Sequence, residues 1–155
     1  MRSAFTVAAV IVCLLFACVA MADGVPEPLY MSGKALGGAA LNQYTPGVEG
    51  GSGPNNIGLL VRTYGKVTFV DAVNKYFYID DGSGRVDGTM NAGSPVVGIR
   101  VSYGGLATDV PAINPPAVNA RVIVTGIIST CLVPANNGAI QPNLRARSQG
   151  DIIAQ

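Results

Sequence analysis

The sequence predicts an all-β fold, a five-stranded Greek-key barrel preceded by an irregular N-terminal arm. Three observations carry that prediction. Residues 57–84 alternate apolar and polar side chains as a half-buried strand requires, pause at a turn, and alternate again. Residues 120–130, ARVIVTGIIST, are the most β-branched run in the chain. The composition sets 20 Gly and 10 Pro against an aromatic content of 6%, which suits short strands joined by turns better than packed helices. With 155 residues, 49% of them hydrophobic, the chain has material for one core.

The first 22 residues form a separate unit. Arg2 supplies a positive start, residues 4–19 are apolar, and Ala20-Met21-Ala22 places small residues where a signal peptidase cuts. We expect a signal peptide over 1–22 and a mature chain beginning at Asp23. Two other readings of the leader stay open. It is an uncleaved anchor, although its apolar run is shorter than the ~20 residues of a bilayer span. Or Leu15-Phe16-Ala17-Cys18 acts as a lipobox and Cys18 becomes a lipidated N-terminus. Cleavage after Ala22 also removes Cys13 and Cys18, leaving Cys131 as a single thiol with no disulfide partner.

Residues 23–56 show neither strand nor helix period and end in Gly50-Gly51-Ser52-Gly53-Pro54. They read as an arm whose apolar Leu29, Tyr30, Met31 and Leu36 dock along the barrel formed by 57–155. In the first barrel strand Ile57, Leu59, Val61, Val67 and Phe69 are expected on the inner face, with Arg62, Tyr64, Lys66 and Thr68 outside. Gly65 marks a bulge or tight coil in mid-strand. The second strand, 75–80, turns Phe77 and Ile79 inward and Tyr76 and Tyr78 outward, then stops at Asp80-Asp81-Gly82-Ser83-Gly84. Residues 85–95 read as a turn-rich connection. Residues 96–103 form a third strand with Val97, Ile99, Val101 and Tyr103 on one face and Arg100 and Ser102 on the other.

Pro111, Pro115 and Pro116 bar a long helix from 104–119, which becomes a loop crossing the barrel's end. The fourth strand, 120–130, points Val122 and Val124 inward and bends at Gly126. A turn at 133–138 leads to a fifth strand at 140–148.

This strand order matches the oligonucleotide/oligosaccharide-binding (OB) fold. The segments NNIGLLVRTYGKVTFVD, YFYIDDGSG, GIRVSY, VIVTGIIS and LRARSQGDI resemble OB domains of large secreted proteins of environmental bacteria. The lead-in PLYMSGKALGG is similar to theirs as well. Those domains in turn resemble OB domains of nucleic-acid-binding proteins, where a strand of the "FYIDDGSG" type precedes the third strand. The resemblance covers 55–152, and departs from a typical member where the Pro-rich loop replaces the helix between strands three and four.

Taken with the outward strand faces, it implies a ligand surface at Arg62, Tyr64, Lys66, Tyr76, Tyr78 and Arg100, where rings stack bases or sugars and cations track a backbone. The same residues also read as the solvent face of amphipathic strands. Loss of Arg2 leaves nine Lys and Arg against nine Asp and Glu, a net charge of zero, which argues against affinity built on neutralising many phosphates.

Catalysis finds few parts. There is no His, which removes the commonest general base and zinc ligand. Asp80, Asp81 and Asp87 bring oxygens together but miss the EF-hand spacing, so neither a metal nor another cofactor is expected. We expect a secreted or cell-surface, non-catalytic binding module for single-stranded nucleic acid or glycan. The alternative is an assembly protein that engages other protein chains or itself through a sheet edge or the arm.

Overall fold

The computed structural model describes residues 26–155; the leader, its cleavage and its lipidation lie outside the described residues. Regular structure within them is almost entirely strand: β1 (Leu29–Tyr30), β2 (Leu60–Asp71), β3 (Tyr76–Asp80), β4 (Val86–Asn91), β5 (Ser94–Val97), β6 (Ile99–Ser102), β7 (Arg121–Leu132), β8 (Ile140–Arg145) and β9 (Ile152–Ala154). The described residues are therefore mostly β. A mixed seven-stranded sheet runs β1-β2-β3-β6-β8-β7-β9, and β2 also pairs with β7, which makes the sheet partly ring-like. Two of its pairings, β1 with β2 and β6 with β8, are parallel.

Strand β2 serves two partners in succession. Its first half lies against β7, from Leu60 opposite Ile127 to Lys66 opposite Arg121, and its second half lies against β3, from Lys66 opposite Asp80 to Asp71 opposite Tyr76. Gly65 sits at this exchange. A Cβ there would stand 2.9 Å from the Asp80 carbonyl, so the close approach of β3 requires a residue without a side chain. A register shift follows between Val67 and Phe69.

That bulge corrects the expected alternation, because one extra residue flips every later side chain to the other face. Phe69 does not join the core; it stands outside with Tyr76 and Tyr78, while Val70 packs against the core instead. Ahead of the bulge the inner face takes Val61, Thr63, Gly65 and Val67, all buried. The core itself gathers Val61, Val67, Phe77, Ile79, Ile99, Val101, Tyr103, Val122, Val124, Ile128 and Leu144. In β3, β6 and β7 the inner faces are those the sequence predicts.

Three further features depart from the sequence reading. Residues 86–97 are a β-hairpin and not an irregular connection, turning at Ala92-Gly93, where φ is 48° and 84°. Paired positive φ values suit a tight two-residue hairpin turn. The expected third strand is split at Gly98, whose φ of 120° sends β5 and β6 in different directions. Finally, β1 and β9 add strands at the two ends of the sheet order.

The arm docks. Leu29 and Tyr30 pair with Val61 and Arg62, Leu36 enters the core, and Asn56 clamps the arm, accepting the Gly37 N–H at 2.7 Å and donating to the Ala35 carbonyl at 2.8 Å.

Candidate functional site

The six residues expected to share one ligand face fall into two groups. Arg62, Tyr64 and Lys66 lie on the outer side of the β2–β7 pair. Tyr76, Tyr78 and Arg100 lie on the outer side of β3–β6, where Tyr78 is opposite Arg100. Strand β2 leaves β7 for β3 between the two groups, and that exchange of partners divides them.

The second group is tied up in structure. Tyr78 is 0% exposed, because the β4–β5 hairpin folds over it. Its hydroxyl donates to Asp87 Oδ2 at 2.5 Å and lies 2.8 Å from Thr89 Oγ1. Arg100 Nε donates to the same phenol oxygen at 3.0 Å, and the guanidinium carbon stands 4.1 Å from the Tyr76 ring centroid. Burial, then the Asp87 acceptor, pushes the Tyr78 phenol far above the usual tyrosine range. Phe69 completes the cluster, with its ring centroid 6.2 Å from Tyr76 and 6.3 Å from Tyr78. The expectation of an exposed Tyr78 is thus corrected: strand alternation puts it outside the core, and the hairpin then covers it.

The first group remains open to solvent. Tyr64 is 65% exposed, and Lys66 is exposed beside it. Register places Tyr64 opposite Ile123 and Lys66 opposite Arg121, and Ile123 in turn opposite Ile153. Arg62 is opposite Thr125 and donates to its hydroxyl at 2.9 Å. On its other side Arg62 meets Tyr30, donating to the phenol oxygen at 3.2 Å with its guanidinium carbon 5.7 Å from the ring centroid. Tyr30 is 78% exposed. Two open rings and three cations thus share one surface, a combination suited to stacking planar ligands and holding polar groups beside them.

Sequence reasoning missed Tyr30, Arg121 and Ile123. Tyr30 sits in an arm without strand period, and only the β1–β2 register places it beside Arg62. Arg121 and Ile123 were legible as the outward positions of the fourth strand, but nothing short of the β2–β7 register says which strand they face.

Beside Tyr64 opens a cleft of about 460 Å³, walled by Lys66, Asp80, Asp81, Arg121, Ile123 and Gln155 among others. Its acids are partly engaged. Asp81 accepts the Gly33 N–H at 2.7 Å and the Ser83 N–H at 3.1 Å. Burial alone would raise its carboxyl, but these hydrogen bonds hold it below the usual carboxylate range. Asp80 Oδ1 accepts from Gly82 and Gly84, ordinary turn chemistry. Asp87 is spent on Tyr78. The thiol of Cys131 is half-buried, and burial pushes its pKa up, away from nucleophilic character.

No protein-family model, curated protein or solved structure matches this chain.

Proposed function

We propose that this chain is a non-catalytic binding module of the OB type, exported from the cell, whose ligand is single-stranded nucleic acid or a glycan. The circuit β2-β3-β6-β8-β7, closing back on β2 with β6 and β8 parallel, supports reading the sheet as a five-stranded Greek-key barrel. Exposure of Tyr64 beside Lys66 and Arg121 at the Tyr64 cleft, with exposed Tyr30 against Arg62 further along β2, carries the binding reading. Tyr78 and Arg100 serve a different end, bonding the hairpin at Asp87 and Thr89, and Tyr76 packs on the Arg100 guanidinium. Rings give stacking area at low conformational cost, and three cations suffice for a short ligand without a large net charge.

The test is a calorimetric titration of the purified chain with an oligothymidylate and with a set of neutral oligosaccharides. Binding of either that weakens roughly tenfold or more in Tyr64→Ala, and is unchanged in Tyr76→Ala, supports the reading. Binding of neither ligand, or equal loss in both variants, defeats it.

A further inference from the structure

The cleft beside Tyr64 lies where three strands meet. Lys66 is opposite Asp80 on β3 and opposite Arg121 on β7, because β2 passes from one partner to the other at this residue. Tyr64 lies two residues back on the same outer face. Its row continues across β7 and β9 through Ile123 and Ile153. Tyr64 is 65% and Ile153 46% exposed. An apolar strip with a ring at one end therefore borders a pocket whose other walls carry Lys66, Arg121, Asp80 and Asp81.

The two signs of charge stand together there without cancelling by contact. Among the described residues the single ion pair is Arg147 with Asp151, so neither Lys66 nor Arg121 is paired with an acid of the cleft. Asp80 Oδ1 accepts the N–H groups of Gly82 and Gly84 at 3.2 and 3.1 Å, which leaves Oδ2 without a donor among the described residues. Asp81 accepts one bond on each oxygen, from Gly33 and Ser83. An ionised carboxylate has about four lone-pair sites, so both acids keep acceptor capacity beside two cationic donors.

The two ligand chemistries open to this face make different demands on such a cleft. A phosphodiester chain offers acceptors and a negative charge at every nucleotide, so it engages the two cations and is repelled by the two carboxylates. With charges balanced two against two, the cleft gives a polyanion little net attraction. A sugar hydroxyl both donates and accepts, and so matches carboxylate acceptors and cationic donors placed side by side. Hydrogen bonds to ionised groups are the stronger ones, so the ligand itself needs no charge. The C–H face of a sugar ring is apolar and suits the Tyr64 ring and the isoleucine strip.

We infer that the cleft takes an uncharged oligosaccharide, with one sugar on the Tyr64 ring and hydroxyls that donate to Asp80 and accept from Lys66 and Arg121. This rests on reading the Tyr64 face as a ligand site and narrows that reading to one of its two classes.

The experiment is a calorimetric titration of the purified chain at low salt, where attraction for a polyanion is greatest, with neutral oligosaccharides of glucose, mannose and xylose and with an oligothymidylate. A neutral oligosaccharide is expected to bind and the oligothymidylate is not. Tyr64→Ala and Asp80→Asn should each weaken sugar binding roughly tenfold or more, the second because it replaces a charged acceptor while keeping the Oδ1 that closes the turn. Arg121→Gln removes a charge and keeps a donor, so sugar affinity should stay within about threefold of the wild type. If Asp80→Asn fails to fold, Arg121→Gln carries the test, and a loss of roughly tenfold or more in that variant overturns the inference. Sugar binding that Asp80→Asn leaves unchanged also overturns it. Oligothymidylate bound by the wild type, and more tightly by Asp80→Asn, overturns it while the Tyr64 face stands as a ligand site. Binding of neither ligand defeats both the inference and the reading it rests on.

Discussion

The phenol of Tyr78 donates to the carboxylate of Asp87 at 2.5 Å, joining β3 to the hairpin that covers it, with both residues buried. The bond explains why a polar ring on an outward strand position is sealed from water. A buried carboxylate needs donors, and Tyr78 supplies the nearest.

Tyr78→Phe removes that donor while keeping the ring. Asp87 is then left under-satisfied in a buried setting, which costs about 1–3 kcal/mol. Urea unfolding should show this loss, with little change for Tyr76→Phe, whose ring is not sealed.

Thr63 presents the opposite case. It is 2% exposed on the inner face of β2, and its hydroxyl has no hydrogen-bond partner among the described residues. Thr63→Val keeps the shape and removes the unpaired group, so the variant should be more stable by about 1 kcal/mol, seen as a higher urea midpoint.

Gly98→Ala should be among the most damaging single substitutions. The added methyl would collide with the Ile79 carbonyl oxygen, and the φ of 120° already disfavours any L side chain. Overpacking and backbone strain each cost about 1–3 kcal/mol, and thermal unfolding measures their sum.

Acid should weaken the fold through Asp151. Burial opposes its ionisation, but bonds from Arg147 and the Ser148 N–H hold its carboxyl below the ordinary range. A carboxylate depressed in the folded state stabilises that state above its unfolded pKa. This contribution is lost as pH falls through the folded value, so the decline begins near about pH 4 and continues below it. Asp151→Asn should be less stable at neutral pH by about 1–3 kcal/mol and show a flatter acid profile by circular dichroism.

For an oligothymidylate ligand, three cations on the Tyr64 face set the salt response. The slope of log K against log salt should be shallow, about −2, and near zero for a neutral oligosaccharide. Arg121→Ala should reduce the nucleic-acid slope by roughly one contact, whereas Arg147→Ala, already paired with Asp151, should not.

The strand content was legible because alternation and β-branching are local properties. The inner faces of β3, β6 and β7 are where their sequences place them. Phe69 was not legible, since one extra residue at the bulge inverts a face without leaving a mark in composition. Nor was the hairpin, whose Asp, Gly, Thr and Asn residues resemble a connection until Ala92-Gly93 folds them against each other. Of the candidate surface, Tyr64 and Lys66 could be named in advance, but Tyr78 could not be told from Tyr64 by pattern alone. Both are outward on their strands.

By itself, then, the amino-acid order determined a strand-rich chain, most of its core and the outward strand positions of Arg62, Tyr64, Tyr76, Tyr78 and Arg100, because each follows from neighbours a residue or two apart. Which outward side chains meet water was decided only in three dimensions. Register sets Tyr30 and Arg121 beside Arg62 and Lys66, and a hairpin distant from them closes over Tyr78. Exposure depends on what packs on top of a residue, and that contact is made between segments that sequence spacing does not relate.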